Sequence, residues 1–158
     1  MAAPLAFFGT ESCYVRSLNL SDGSSTCYAV TEPTTKYVAV EFVISDGERM
    51  VYALVCHWDK KDGELVQCEV ERGALVERAR VSSGGRQPCH AAWRPGATAR
   101  LAVSHYFGGA VSLFACAERP TLLATARVGE HAHGVAWSPD GAYVVAVSYT
   151  HLTLPTKA

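Results

Sequence analysis

The side chains best suited to proton transfer in this chain are its histidines, and five of the six recur at the ends of short apolar segments. Imidazole titrates near neutral pH, so a histidine can act as a base, as an acid or as a hydrogen-bond donor to an anion. When neighbouring strands run antiparallel, the start of one and the end of the next lie at the same edge of the sheet. We therefore expect one edge of the fold to gather the following residues: His57, His90, His105, His131 and His133.

The segments that carry these histidines read as β-strands, because they are rich in Val, Leu, Tyr, Phe and Trp. Helices are not expected, since no window of about 12 residues shows a 3.6-residue apolar period. Turn sequences such as Ser45-Asp46-Gly47 and Ser138-Pro139-Asp140-Gly141 separate the segments and supply glycine for positive φ. Beyond a first strand within residues 2–9, the predicted strands cover residues 37–44, 50–56, 65–70, 75–81, 90–93, 101–104, 111–114, 122–128, 134–137 and 143–147.

Internal sequence repeats indicate which all-β architecture the chain adopts. Residues 92–95 (Ala-Trp-Arg-Pro) recur as residues 136–139 (Ala-Trp-Ser-Pro), offset by 44, and residues 54–57 match residues 102–105, offset by 48. A period in the forties that holds four short strands is typical of a propeller blade. The sequence thus predicts an all-β β-propeller with about three four-stranded blades, too few to close a ring. The histidines would then surround one mouth of the central channel.

Composition excludes several classes of function. The formal net charge of −1 favours neither nucleic acid nor an anionic membrane surface, and no apolar run approaches the roughly 18 residues of a membrane span. The six cysteines form no C-x-x-C pair, so we interpret them as free thiols of a cytoplasmic protein. The two histidines of His131-Ala132-His133 are spaced so that they could chelate a metal ion. No carboxylate stands at a recognisable ligand spacing from them, so no metal is expected.

Several motifs in order resemble the seven-bladed β-propeller lactonase family. They are Phe8-Gly9-Thr10, Gln87-Pro88-Cys89-His90, the stretch over residues 101–114, His131-Ala132-His133 and Ser138-Pro139-Asp140-Gly141. The last motif alone is weak because many propellers use it, whereas the ordered combination is specific. The resemblance runs from about Phe7 to Val147.

This resemblance implies that a longer parent protein hydrolyses 6-phosphogluconolactone, the second step of the pentose phosphate pathway, without a metal or other cofactor. The partner would be a small phosphosugar lactone, and no nucleic acid, membrane or obligate protein partner is expected. The chain would be an N-terminal fragment of a seven-bladed ring and would be inactive by itself.

The candidate roles follow from what lactone hydrolysis needs, which is a base for the attacking water, donors for an oxyanion and a cation for the phosphate. His133 is predicted as the base or substrate-orienting group, with His105 as a second catalytic residue. Arg86 is predicted to meet the phosphate. The predicted substrate-binding residues are His57, Arg86, His90, Tyr106 and His131.

The chain also departs from the family pattern. Cys56-His57 stands where the family often has Glu, His105 where it has Asn, and Glu130 where it often has Pro. Residues 148–158 resemble translated sequencing-adaptor readthrough. We therefore predict a partial propeller over residues 1–147 and a non-native tail over residues 148–158.

Two other readings remain open at this point, because a fold does not determine a function. One is a non-catalytic propeller that binds protein partners through its face, and the other is a ligand-binding module that kept the pocket and lost the chemistry. An interaction propeller would favour exposed aromatic and Arg side chains over a ring of titratable groups.

Overall fold

The computed structural model describes residues 5–10, 12–30, 38–59, 62–94 and 99–149, and these residues form 13 β-strands and no α-helix. None of those residues belongs to a helix that is long and apolar enough to cross a membrane. The strands are β1 (Leu5–Gly9), β2 (Tyr14–Asn19), β3 (Ser25–Ala29), β4 (Val38–Ser45), β5 (Met50–His57), β6 (Glu64–Glu71), β7 (Ala74–Ser82), β8 (Pro88–Arg94), β9 (Arg100–His105), β10 (Ala110–Cys116), β11 (Pro120–Arg127), β12 (Ala132–Trp137) and β13 (Val144–Ser148).

The strands form four antiparallel sheets, which we number blades 1 to 4 in chain order. Blade 1 has the order β1-β2-β3, blade 2 β4-β5-β6-β7, blade 3 β8-β9-β10-β11 and blade 4 β12-β13. The first strand of each blade contacts the first strand of the next, so β1, β4, β8 and β12 lie side by side on the inner side of the arc. The predicted all-β propeller with an unclosed ring is confirmed for the described residues.

Neighbouring blades pack face to face through buried apolar side chains that lie between them. Alternate residues of β5 point to opposite neighbours. Val55 joins Val15 in a buried cluster between blades 1 and 2, whereas Leu54 joins Leu101 and Phe114 in the cluster between blades 2 and 3. This double burial explains why β5 reads as a continuous apolar run.

Most predicted strands agree with the structure to within about two residues, which is the usual uncertainty of strand ends. The strands β2 and β3 were not predicted, because their Ser, Thr, Arg and Asn residues obscure the apolar pattern. Ser148, which the tail prediction set aside, ends β13 opposite Ala132. Residues 95–98 and 150–158, and with them the rest of the predicted tail, lie outside the described residues.

Candidate functional site

The inner strands of blades 2 to 4 begin at one edge of the sheets, and β5, β9 and β13 end there; we call this the mouth edge. Each of these inner strands contains a β-bulge in its first half. A bulge inserts one extra residue into the strand register and changes the direction of the side chains. Glu41 in β4 and Cys89 in β8 are the extra residues in the strand register, and in β12 His133 and Gly134 together stand opposite the single residue Val147.

Five side chains at this edge form a contiguous group, which we call the mouth cluster: Arg86, Tyr106, Phe107, His131 and His133. The Arg86 guanidinium carbon lies 5.1 Å from the centre of the Phe107 ring, in the range of a cation–π contact. The Tyr106 ring centre lies 4.7 Å from that of His131 and 6.2 Å from that of His133. Phe107 is 50% exposed, so the cluster is open to a ligand.

His90 lies behind the cluster, on the side of the inner strands. Its ring centre is 4.4 Å from that of Phe42, and its Nδ1 accepts a hydrogen bond from the Val135 backbone N–H at 3.3 Å. Burial, aided by the positive charge that His133 can carry, lowers the pKa of His90 below its usual value. His90 is therefore neutral near pH 7, and because Nδ1 is an acceptor, the proton sits on Nε2.

His105 is fully buried beneath the mouth edge and does not join the mouth cluster. Its Nε2 lies 3.0 Å from the Ser112 hydroxyl, which lies 2.9 Å from the Thr125 hydroxyl. Burial lowers the pKa of His105 to about 4. A Cβ atom on Gly85 would lie 2.7 Å from the ring, so the ring fills the space under the loop that carries Arg86.

His57 is also buried and lies apart from the mouth cluster. Its Nε2 is 3.2 Å from a Glu64 carboxylate oxygen. Burial would raise the pKa of Glu64, but Arg80, at 2.6 Å, and His57 outweigh that effect and lower it. The imidazole thus contacts the Glu64–Arg80 ion pair that connects β6 and β7.

Cys89 is held by backbone groups of the next blade. Its thiol lies 3.4 Å from the Ala132 carbonyl oxygen and 3.6 Å from the Ser104 hydroxyl, and Ser104 in turn donates to the His133 carbonyl. Burial raises the pKa of Cys89, so the thiol is protonated at neutral pH. These contacts connect blades 3 and 4 directly beside His133.

A family model for the seven-bladed β-propeller lactonases matches residues 7–149. The chain belongs to the lactonase family of seven-bladed β-propellers. This lactonase-family propeller is also similar to a crystal structure of a protein from Lactobacillus plantarum, with a TM-score of 0.68 and 15% sequence identity. The match covers 92% of this chain and 46% of that one, so the chain spans about half the length of that structure. No curated protein matches the chain.

For this lactonase-family propeller, the mouth cluster gathers four of the seven predicted site residues, with His90 close by. His57 and His105 lie in the sheet interior instead. Sequence reasoning missed Glu41 and Cys89, although a signal was present. Glu41, Cys89 and His133 are separated by 48 and 44 residues, which are the two offsets of the internal repeat.

Phe107 was not predicted as a site residue, and no sequence signal pointed to it. It contacts Arg86 and His131, and these three residues lie in three different loops. Among the described ranges, no group of three His, Cys, Asp or Glu side chains is close enough to hold a metal ion.

Proposed function

We propose that these blades belong to an enzyme that hydrolyses a sugar lactone, in the manner of a 6-phosphogluconolactonase of the pentose phosphate pathway. Family membership supports lactonase-type chemistry in general. The observation that carries the proposal is the mouth cluster, in which two half-buried imidazoles flank Tyr106 at the opening of the inner strands. An imidazole can serve as the general base for hydrolysis of an ester at neutral pH.

In the proposed reaction, water adds to the lactone carbonyl carbon while His133 Nε2 or Nδ1 takes a proton from the water. The carbonyl oxygen becomes an oxyanion, and the Nε2–H of neutral His90 is a suitable donor for it. The tetrahedral intermediate then breaks the ring C–O bond, and the ring oxygen receives the proton that the base had taken. Lactone and water give one hydroxy acid, with no redox change.

His105 and His57 have positioning roles in this proposal. Neither side chain is exposed enough to touch a ligand. His105 supports the Gly84-Gly85 loop from below, and its backbone carbonyl accepts the Gly109 N–H, which shapes the loop after β9. His57 stabilises the end of β5 through Glu64.

The proposed partner is a small phosphosugar lactone in the cytoplasm. Arg86 is available to its phosphate because the guanidinium rests on the exposed Phe107 ring instead of forming an ion pair with a described carboxylate. Arginine suits this task because its planar fork matches phosphate oxygens.

The deciding experiment begins by sequencing the transcript downstream of Val147. The longest natural reading frame and the 158-residue chain are then expressed and assayed in parallel. We expect the longer protein to hydrolyse 6-phosphogluconolactone and the 158-residue chain to be inactive. In the longer protein, His133→Ala should lower kcat by about 100-fold, and added imidazole should restore part of it. Loss of activity without rescue by imidazole, in a variant that stays folded, would contradict the role of His133 as the base.

A second candidate function is a non-catalytic module that binds a protein partner. It is favoured by the exposed aromatic and Arg side chains at the mouth edge, where Trp58 is 49%, Phe107 50% and Tyr149 44% exposed. Such residues are enriched at protein interfaces. If the longer protein fails to hydrolyse a panel of sugar lactones, while Phe107→Ala abolishes capture of a defined partner, this second function replaces the first.

A further inference from the structure

A buried hydroxyl lies between the two histidines that act on the lactone in the proposed reaction. Ser104, in β9, is fully buried, and its hydroxyl donates to the His133 backbone carbonyl in β12. The same hydroxyl oxygen lies 3.3 Å from the His90 carbonyl oxygen in β8. One proton shared between two carbonyls is a three-centre hydrogen bond. A single side chain of blade 3 thus connects the backbones of His90 and His133.

The Cys89 thiol contacts both this hydroxyl and the strand that the hydroxyl reaches. Its sulfur lies 3.6 Å from the Ser104 hydroxyl oxygen and 3.4 Å from the Ala132 carbonyl oxygen. Cys89 is the extra residue in the register of β8, and His133 belongs to the bulge of β12. Because a bulge locally disrupts the ladder of backbone hydrogen bonds, side-chain hydrogen bonds help to determine the position of the backbone there.

The His90 ring provides a second connection across the same joint between blades 3 and 4. Its Nδ1 accepts the Val135 N–H at 3.3 Å, and Val135 follows His133 by two residues in β12. Burial, and then the positive charge that His133 can carry, lower the pKa of His90, so the two imidazoles are close enough to interact. A change in the spacing of β8 and β12 therefore alters both the orientation of His133 and the hydrogen bond that fixes the His90 tautomer.

The equivalent serine of the next blade has a different hydrogen bond. Ser148 follows Ser104 by 44 residues, which is an offset of the internal repeat, and its hydroxyl donates to the Glu130 carbonyl in the loop before β12. The connection from Ser104 to β12 thus depends on the packing of blade 3 against blade 4, and it lies where the candidate site forms.

We propose that Ser104 is a positioning residue of the candidate site, whose hydroxyl holds the backbones of His90 and His133 at a fixed separation. The base and the oxyanion donor then face the same lactone carbonyl. The hydroxyl acts through geometry, because it is too buried to touch the substrate, and a displacement of about 1 Å can lower a rate by about 100-fold. The inference deepens the proposed lactonase function and rests on it for the reaction that the two histidines perform.

A double-mutant cycle in the longer protein tests this role. Ser104→Ala should lower kcat by about tenfold or more and leave KM within about twofold, because the groups that bind the substrate remain. In a His133→Ala background the same change should lower kcat by less than about threefold, since the spacing of the pair no longer matters without the base. Equal losses in both backgrounds would show that Ser104 does not act through His133 and would overturn the proposal.

The matched control is Ser17→Ala in β2, which removes another buried serine hydroxyl in blade 1, away from the mouth edge. It should leave kcat unchanged. If Ser104→Ala and Ser17→Ala behave alike, Ser104 has no positioning role.

The tautomer of His90 in the 158-residue chain provides a readout that needs no turnover. Long-range proton–nitrogen NMR spectra should show His90 with its proton on Nε2 in the wild type and in Ser17→Ala. In Ser104→Ala the two ring nitrogen shifts should move towards each other, because the Val135 N–H no longer holds one tautomer. Identical ring nitrogen shifts in Ser104→Ala and the wild type would contradict the connection.

A second variant covers the case in which Ser104→Ala does not fold. Ser104→Cys keeps a side chain of similar size with a weaker donor, so it should show the same changes in kcat and in the His90 tautomer, reduced in size. Wild-type values of both in Ser104→Cys would then overturn the proposal.

The two measurements separate this inference from the proposed function. Lactone hydrolysis with an unchanged kcat in Ser104→Ala would remove the positioning role and leave the lactonase function intact. A change of the His90 tautomer in Ser104→Ala, beside a longer protein that hydrolyses no lactone, would support the connection through Ser104 and remove the proposed reaction.

Discussion

At the scale of single residues, the imidazoles of this protein have different surroundings despite their similar positions in sequence. His133 meets Tyr106 and Tyr149 at the surface, with ring centres 6.2 and 5.2 Å away. His105 lies in the interior, where the Ser112 hydroxyl is 3.0 Å from its Nε2. The first environment allows a histidine to exchange protons with a ligand, and the second holds it neutral.

The buried His105 predicts a loss of stability in mild acid. Its pKa is about 4 in the folded protein and about 6.5 in an unfolded chain. Between these values the unfolded state binds a proton that the folded state excludes, so stability falls as the pH drops from about 6.5 to about 4. The full effect is about 3 kcal/mol. Denaturant unfolding at several pH values measures it.

The variant His105→Gln provides the comparison, because glutamine does not titrate. It lowers stability at neutral pH but should flatten the pH dependence over this interval. The same slope in the wild type and in His105→Gln would show that other groups, such as Glu64, account for the acid sensitivity.

The cysteines differ in accessibility, which gives a second prediction at this scale. Cys27 in β3 is exposed, whereas Cys13, Cys56, Cys68 and Cys116 are buried and Cys89 is half-buried. Burial also raises the pKa of Cys89, which reduces its reactive thiolate. A thiol reagent should label Cys27 at least tenfold faster than the others, as followed by peptide mass spectrometry. Rapid labelling that persists in Cys27→Ser would contradict this order.

At the scale of elements, the turns and bulges at the mouth edge determine where side chains point. The loop between β7 and β8 is packed against His105, since a Cβ atom on Gly85 would lie 2.7 Å from its ring. The loops after β9 and β11 are tied together by the Val128 N–H and the Gly109 carbonyl. The candidate site is thus formed by loops that the sheets hold in place.

This packing predicts that Gly85→Ala is destabilising. The added methyl group must displace the buried His105 ring, at a cost of about 1–3 kcal/mol. Gly134→Ala in β12 is the matched control, because the nearest heavy atom to its Cβ would be 3.9 Å away, and its effect should be within about 0.5 kcal/mol. Thermal unfolding of both variants makes the comparison, and equal effects would contradict the packing argument.

At the scale of the whole molecule, the described arc has an open edge at β13. Val145 is 61% exposed and Val147 52% exposed on one face of this strand. On the other face, an apolar groove of about 210 Å³ is lined by Val144 and Ala146 of β13 and by residues of β10 and β11. An apolar edge strand of this kind pairs readily with other chains.

We therefore expect the 158-residue chain to self-associate as its concentration rises. Replacing both Val145 and Val147 by Lys should reduce the association, because charges on an edge strand oppose pairing. Sedimentation velocity over a range of concentrations measures the effect. A wild-type chain that stays monomeric throughout would show that this edge is covered.

The class of fold was determined by the sequence alone, because the signals for it are local. Short apolar segments, glycine turns and the offsets of 44 and 48 residues each arise within one blade, and they predicted the repeated sheets and the common edge of their histidines. The gathering of Arg86, Tyr106, His131 and His133 at that edge follows from the same antiparallel geometry.

Only the tertiary structure decided which of those side chains reach the surface at the mouth edge and which are buried. Successive residues of a strand point to opposite faces, so one inserted residue reverses the direction of those beyond it. The bulge at Cys89 leaves Pro88 opposite the buried His105, and the bulge in β12 contains the half-buried His133 at the mouth edge. Arg86, Phe107 and His131 come together through contacts between loops, which have no periodicity in the sequence.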